Sequence, residues 1–501
     1  MFRTIYLIFL LIKYYFLYLL SKLGLVKYPT QKLIKNFFEE AGGAFVKFGQ
    51  ILAMRVDVLP KNFSLELFDL FDNYKPFPYD EVKMIFKEEL GVTPEKIFKY
   101  FEKEPFASAS FAQVHGAKFQ NGQTVVVKIQ RPDVMEKINV DFFIIDILSV
   151  IADLFFKIEA LPWKEFAQEF RIWTRKELDY QLEAENMDRI YNNLALNKVT
   201  DVIVPKTYHR ISTKKILVQD YIDGIPLSRA LREIRSGNLN AEKFKKMGID
   251  IKKTPETMVM ELLREYFIDG FFHADPHPGN VLLLKNGKIG LIDFGIVGEA
   301  APKRQAFRKF FLAACKTKFE KSQKNYEDFA YYAFQFSGDK IEQIISSVLP
   351  ASLDKNNIDQ FLKILVAHFL EHFNKVEAQI RKDLGIMKID QVTMLLQMLK
   401  FTARYQVRLP KQMVVLIRAN SIFGFLAKEL NIDFDMSKTV IKFFQKYPEN
   451  QFQKIDTDTI PYRRMNREEA IDALNNWLTY LFETDPELYQ LVNNYVSKYN
   501  I

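Results

Sequence analysis

Three oxygen-bearing side chains raise the first chemical question. Asp275 and Asn280 stand five apart in FFHADPHPGN (271–280), and Asp293 follows thirteen residues after Asn280, in LIDFG (291–295). Phosphoryl transfer from a nucleotide asks little covalent chemistry of a protein. It asks for a carboxylate that orients or deprotonates the acceptor, and for hard oxygen ligands that hold magnesium on the phosphates. A D-x-x-x-x-N loop, a short hairpin and then D-F-G supply those groups in that order. Asp275 is the candidate base, and Asn280 and Asp293 are the candidate Mg2+ ligands. Either motif alone is commonplace; the two with a hairpin between them are specific.

Lys128, in TVVVKIQ, is the next candidate. Strand side chains alternate faces, so Lys128 points away from its flanking apolar neighbours. An ammonium there can reach nucleotide phosphates and pair with a helix glutamate. The bland alternative is a solvated edge-strand lysine. A small-residue loop before it and a Glu-bearing helix after it favour the phosphate reading. That loop, PFASASFAQVHGAKF (105–119), carries Ala107, Ser108, Ala109, Ser110 and Ala112 where glycines would let backbone amides approach phosphates. These five are candidate nucleotide contacts, and the stiffer backbone points to tight or selective binding over turnover. Gln219, Asp220 and Tyr221 complete the candidate nucleotide contacts.

Two histidine pairs invite a metal reading and do not support it. His273 and His277 are four apart, but Pro276 and Pro278 forbid a regular helix there; His273 reads as a loop stiffener through a backbone hydrogen bond. His368 and His372 are also four apart, on an amphipathic helix, and read as surface or core histidines.

The elements that must position these groups follow from periodicity. Residues 30–90 are helical in pattern, with apolar positions at spacings of three and four. Residues 94–130 shift to short β-type runs, with a turn at Gln-Asn-Gly-Gln. Helix returns over 134–198, with one long amphipathic stretch from Trp163 to Leu196. VIVP (202–205) and KILVQDYI (215–222) read as strands, and VLLLKNGKIGLIDFG as a hairpin turning at Lys-Asn-Gly-Lys. From 301 onward the period is helical, and the apolar run 413–426, which contains Arg418 and Asn420, reads as a buried helix.

At 501 residues, 48% apolar and 26% charged, the chain has the makings of a large two-lobed folded protein. A net charge of +8 is a mild bias, suited to anionic lipid or phosphate and not to nucleic acid. Cys315 is the single cysteine, so no intramolecular disulfide is available, and its apolar neighbours place it in a core. Residues 5–20 are apolar except for Lys13, and about 20 apolar residues suffice to cross a bilayer. Lys22, Lys27, Lys32 and Lys35 follow, which sets the rest of the chain in the cytoplasm. A mid-span lysine costs about 2.5–3.5 kcal/mol, so the segment either spans the membrane or lies as an amphipathic helix on it or on the protein.

ASASFAQVH, VVVKIQRP, KELDYQLEAEN, HADPHPGN and LIDFG resemble the UbiB family of atypical kinases, the aarF-domain kinases. AFVKFGQ (44–50) is similar to that family's K-x-G-Q signature, and Glu177-Leu178-Asp179 to its E-x-D signature. The likeness runs from about residue 30 to about residue 430. It implies an α+β, two-lobed protein-kinase-like fold. That fold has a small β-sheet N-lobe with a helical insert (about 133–165), an N-terminal helical extension and a largely helical C-lobe. The expected divisions are a membrane-anchor segment at 1–28, the extension at 29–93, the N-lobe at 94–222, the C-lobe at 223–430 and a helical tail at 431–501. The resemblance further implies ATP or ADP with Mg2+, a bacterial inner-membrane setting, and support of ubiquinone or related prenyl-lipid biosynthesis. Membrane lipids, prenyl-quinone precursors and quinone-biosynthesis enzymes are the implied partners. Lys47 and Gln50 would fold over the site, and Glu183 would pair with Lys128.

Helix geometry adds a constraint. In one continuous helix Asp179 and Glu183 share a face, with Lys128 and Lys47 as the expected neutralising cations, while Glu177 lies roughly opposite Asp179. If both signature carboxylates serve one site, the chain bends near 177–179 or their partners lie on different sides. Two classes of activity fit: a lipid-linked or small-molecule kinase or ATPase, and a nucleotide-dependent scaffold with little phosphoryl transfer. An antibiotic-kinase type of phosphotransferase would lack K-x-G-Q and E-x-D. An orthodox protein kinase would find its peptide groove covered by the extension.

Overall fold

The computed structural model describes residues 2–53, 74–155, 163–275, 278–300, 304–320, 322–337, 339–348, 360–372, 434–448 and 465–498, with a few single positions between. The stretch 413–426, Pro276 and His277 lie outside the described residues. The chain forms two compact units, Met1–Thr254 with His273–Val297, and Pro255–Phe272 with Gly298–Ile501.

The first unit opens with helices α1 (Phe2–Lys22), α2 (Thr30–Ala41), α3 (Ala44–Ala53) and α4 (Tyr79–Leu90). A five-stranded antiparallel sheet follows, built from β1 (Tyr100–Phe101), β2 (Ala107–Ser108), β3 (Ala112–Lys118), β4 (Thr124–Gln130) and, later in the chain, β6 (Ile216–Asp220). Its order is β1-β3-β4-β6, with β2 also on β3. Alternation along β4 decides which face is core. Val125, Val127 and Ile129 are fully buried with Phe86, Phe98, Ile216 and Val218, while Lys128 takes the opposite face. Each such valine stabilises the fold by roughly 1.5–3 kcal/mol on burial, which fixes the strand's register and with it the aim of Lys128.

Helices α5 (Val134–Phe155), α6 (Trp163–Glu177) and α7 (Tyr180–Leu196) follow. The single long helix expected from Trp163 to Leu196 is thus two. Asp179 is extended (φ −104°, ψ 95°) and caps α7, its carboxylate accepting from the Gln181 amide. A capping Asp satisfies an orphan donor and is worth about 1 kcal/mol, so the sequence ends one helix and starts the next in three residues. A second small sheet, in the order β5 (Val202–Ile203), β9 (Ile289–Leu291), β8 (Val281–Leu283), β7 (Ile225–Pro226), carries the hairpin. Asn286 and Gly287 both take positive φ, 61° and 72°, as a two-residue turn between right-twisted strands requires.

Helix α1 is long and apolar enough to cross a membrane by length and composition. One side of it is engaged by protein. Lys13 Nζ lies 2.7 Å from Glu40 Oε2, the Tyr14 hydroxyl donates to the same oxygen at 2.8 Å, and Arg3 pairs with the buried Asp141 of α5 at 2.8 Å. Ile5, Ile8, Phe9, Ile12, Phe16 and Leu19 face outward.

The second unit is helical. Among its described helices are α8 (Arg304–Phe319), α9 (Gln323–Ser337), α10 (Asp339–Val348), α11 (Met436–Lys446), α12 (Arg467–Thr484) and α13 (Pro486–Ser497), with residues 360–372 also helical. Phenylalanines dominate its core, with Phe267, Phe307, Phe310, Phe329, Phe369, Phe443 and Phe444 buried, and Cys315 is buried among them as expected.

Candidate functional site

The polar groups singled out by type and spacing meet in the first unit. Lys128 Nζ donates to both Glu183 oxygens, at 3.0 and 2.9 Å, and to Asp293 Oδ2 at 2.9 Å, and it sits 5.0 Å from the centre of the Tyr180 ring. Glu183 lies one turn into α7, facing the sheet. Lys47, on α3, pairs with Glu177 Oε1 at 2.9 Å and stands 3.8 Å from Asp275 Oδ2. Asn280 donates its side-chain amide to the Asp275 carbonyl at 3.2 Å, while its own carbonyl accepts from the Ile292 amide at 3.1 Å. Asp275, Asn280 and the segment at 292–295 are thereby stitched together beside the hairpin. Asp293 Oδ1 accepts from the Gly295 amide at 3.0 Å, and Asn186 of α7 holds the Phe294 carbonyl at 3.1 Å.

The break between α6 and α7 resolves the geometric conflict between the two signature carboxylates. Glu177 ends α6 and turns to Lys47; Asp179 caps α7, and its nearby cation is the exposed Lys214, at 3.8 Å. The expectation that Asp179 and Glu183 share a helix face, neutralised by Lys47 and Lys128, is therefore corrected. Asp179 precedes the helix, and its carboxylate is spent on the cap. The Gln50 side-chain amide donates to the Leu70 carbonyl at 3.2 Å. Gly49 between them has a packing reason: a Cβ there would meet Leu70 Cδ1 at 2.5 Å and Phe38 Cδ2 at 2.7 Å.

Electrostatics follow from burial and the shared cations. Burial alone would raise the Asp293 carboxyl, but the Lys128 and Lys47 ammoniums outweigh it and hold Asp293 well below the usual carboxylate range. Glu183 is pushed up to about 7 by burial and by the Asp293 charge, against the pull of Lys128. Glu177 is raised for the same first reason, with Lys47 opposing. Burial disfavours the charge on Lys128 and on Lys47, but carboxylates on each side keep both cationic. His273 is buried against Phe294, ring centres 5.1 Å apart, and burial lowers its pKa, so it stands neutral behind the loop.

Four carboxylates (Glu177, Glu183, Asp275, Asp293) thus face two ammoniums (Lys47, Lys128), an excess of two negative charges when all are ionised. Glu177 Oε2 is buried without a hydrogen-bond partner among the described residues. A hard oxygen donor set and an unsatisfied carboxylate oxygen fit a divalent cation of the Mg2+ type.

The alanine-rich loop is pinned by a residue that sequence reading passed over. Arg131, just past β4, donates to the Ala109 carbonyl at 2.8 Å, the Ser108 hydroxyl at 2.7 Å and the Lys75 carbonyl at 2.9 Å. The Ala109 amide donates to the Ala112 carbonyl at 2.8 Å, which closes the loop on itself. Ser110 is buried and Ala107 exposed. Gln113 and His115 are structural. Gln113 ties the Phe77 backbone to the sheet, and the His115 Nδ1–H donates to the Glu102 carbonyl at 2.7 Å, leaving Nε2 to accept from Gln113. At the other end of the cluster, Gln219 donates to the Ile292 carbonyl at 3.3 Å. The Asp220 carboxylate is taken up by Tyr208 and Gln123, and Tyr221 is exposed.

A model of the ABC1 atypical kinase-like domain matches residues 69–326. A probable protein kinase UbiB of Marinobacter nauticus is 27% identical over 477 residues, covering 93% of this chain and 77% of that one. An uncharacterized protein from the hydrogenase 1 5' region of Clostridium pasteurianum is 28% identical over 88% of this chain and 75% of its own length. A Synechocystis protein is 32% identical over 59% of this chain and 72% of its own. With the domain model spanning more than half its length and these relatives aligned beyond it, the chain belongs to the ABC1 atypical kinase-like family, the UbiB-type atypical kinases.

Proposed function

We propose that this protein binds a Mg2+–nucleotide, ATP or ADP, between Lys128 and the Asp293–Asn280 pair, and acts as an atypical kinase or ATPase in support of ubiquinone or related prenyl-lipid biosynthesis. The observation that carries the reading is the single ammonium of Lys128 bridging Glu183 and Asp293, 2.9 Å from each. In this reading the five-stranded sheet is the core of a small N-lobe and the helices after it a C-lobe. When bound, the metal-nucleotide supplies a phosphoryl group polarised for transfer. Lys128 neutralises phosphate charge, and Glu183 holds the ammonium in place. Asp293, held ionised by its lysines, and Asn280 offer oxygens to the metal. Asp275, beside Lys47 in the same cluster, orients the acceptor hydroxyl or water and takes its proton. Helix α1, with its outward apolar face and the lysines that follow, associates the protein with the membrane, the rest of the chain facing the cytoplasm. Membrane lipids, prenyl-quinone precursors and their biosynthetic enzymes are the proposed partners.

A second reading rests on Lys47. Its ammonium, 3.8 Å from Asp275 Oδ2, occupies the approach to the candidate base. That favours a nucleotide-dependent scaffold with slow turnover until Lys47 moves.

The test is nucleotide binding by the full chain in detergent or vesicles, with and without Mg2+. Asp293→Asn is expected to abolish the metal-dependent part; equal metal-dependent binding by this variant would remove the magnesium assignment. ATP hydrolysis, measured with and without anionic vesicles, separates the two readings. Turnover below detection in every condition favours the scaffold.

A further inference from the structure

A cluster of side chains of metal-ligating type lies in the helical unit, built from groups whose sequence spacing alone argued for nothing. His368 and His372 sit one turn apart on helical residues 360–372, with rings stacked at 4.3 Å and 30° between planes. Facing them is the start of α13, where Asp485 caps the helix by accepting from the Leu488 amide at 3.1 Å and Glu487 stands in the first turn. Phe361 and Tyr495, ring centres 4.7 Å apart, lock the two helices together further along.

The hydrogen bonding sets the tautomer of one ring. His372 Nδ1 lies 3.0 Å from the His368 carbonyl, which can only accept, so Nδ1 carries a proton. In the neutral ring Nε2 is then a lone pair, and it points at a carboxylate: Glu487 Oε2 is 3.2 Å away. An acceptor faces an acceptor at that distance only if a cation lies between them, either a proton on the ring or a metal ion. Ligands on a tetrahedral zinc-type ion, with bonds of about 2.0–2.2 Å, are roughly 3.3 Å apart, which matches the observed edge. The third donor is present: ligand atoms of His368, His372 and Glu487 all lie within 4.8 Å of one another. A ring N–H given to a backbone carbonyl is also the usual outer support of a metal-bound histidine. His368 Nε2 lies 3.6 Å from Asp485 Oδ1, so a second carboxylate lines the buried side. Glu487, 72% exposed in its side chain, leaves the outer side open to water.

We propose that His368, His372 and Glu487 form a binding site for a divalent transition metal of zinc type, with water in the fourth position, joining helical residues 360–372 to the start of α13. Two imidazoles and a carboxylate select such an ion over Mg2+, which prefers an all-oxygen shell. The site is independent of the nucleotide cluster, since it uses none of its residues.

The experiment is a Co2+ titration of the full chain after chelator treatment, with excess Mg2+ present to occupy oxygen sites. The expected result is the visible absorption of four-coordinate Co2+, saturating at one equivalent per chain and displaced by Zn2+. His372→Ala is expected to weaken it by more than about tenfold. Glu487→Ala, at a side chain 72% exposed, is expected to weaken it as well. Absence of the absorption in the unaltered chain, the result an imidazolium–carboxylate pair would give, overturns the proposal. So does an unchanged titration in Glu487→Ala.

Discussion

Lys47 Nζ stands 2.9 Å from Glu177 Oε1, and so binds α3 to the last residue of α6. Both side chains are mostly buried, which makes the pair costly to break from one side. Removing one partner of a buried pair leaves an uncompensated charge, at about 3–5 kcal/mol. Lys47→Met is expected to lower thermal stability, Glu177→Gln to lower it less because Asp275 still faces the ammonium, and the double variant to lose less than the sum. A double-mutant cycle by thermal denaturation checks this; strict additivity would mean that the two groups do not act on each other. Lys47→Met is also expected to speed ATP hydrolysis if Lys47 guards Asp275, and a rate unchanged within error would remove that role.

Glu183 sets a pH signature. Its carboxyl is pushed up to about 7 in the folded chain, from an ordinary value of 4.5. A carboxyl that holds its proton more tightly when folded lends stability that is full below the ordinary value and is lost as pH climbs through the folded one. Between about pH 5 and about pH 8 the unaltered protein is expected to lose thermal stability relative to Glu183→Gln, by at most about 1.4 kcal/mol for each pH unit crossed. Melting curves of the two proteins that run parallel across this range would contradict the raised value.

Arg131 makes the alanine-rich loop a fixed object. Arg131→Met is expected to destabilise the fold by about 1–3 kcal/mol, since the part-buried Ala109 carbonyl and Ser108 hydroxyl lose a charged donor. The sharper readout is local: amide exchange at Ala109, whose N–H is held by Ala112, is expected to accelerate more than exchange along β3 and β4. Uniform acceleration would show that Arg131 supports the sheet as a whole and not the loop.

Gly49→Ala tests the packing of α3. Alanine gains about 1 kcal/mol of helix propensity over glycine. Its Cβ would meet a buried leucine at 2.5 Å and a phenylalanine ring at 2.7 Å, and overpacking of that kind costs about 1–3 kcal/mol. Both neighbours are buried, so a net loss of thermal stability is expected; a gain would show that Leu70 and Phe38 yield freely.

Much of the site could be read from residue types. Lys128 was legible because three neighbouring apolar residues force it to the other face of β4. The hairpin before Asp293 was legible because Asn-Gly carries the turn. The bend at Leu178–Asp179 was legible as a condition, since an unbroken helix would have parted the two signature carboxylates. What escaped was long-range partnership. Arg131 was one basic residue after a strand, and nothing near it in sequence shows that its partners are the carbonyls of Ala109 and Lys75. Gln50 was assigned by motif to the site, and only the fold reveals the Leu70 carbonyl within its reach. His368 and His372 read as ordinary packed histidines because the carboxylate facing them arrives from a helix far along the chain.

The joint at Leu178–Asp179 also governs how the chain tolerates changes of length. Each residue added to a helix rotates everything beyond it by about 100°. One residue inserted between Tyr180 and Glu183 would swing the glutamate off Lys128, whereas one inserted at the joint would be absorbed as slack, leaving Glu177 on its lysine and Glu183 on the other. Two neighbouring acidic residues are in this way indexed separately, each to its own helix, and a frame error in one need not propagate to the other.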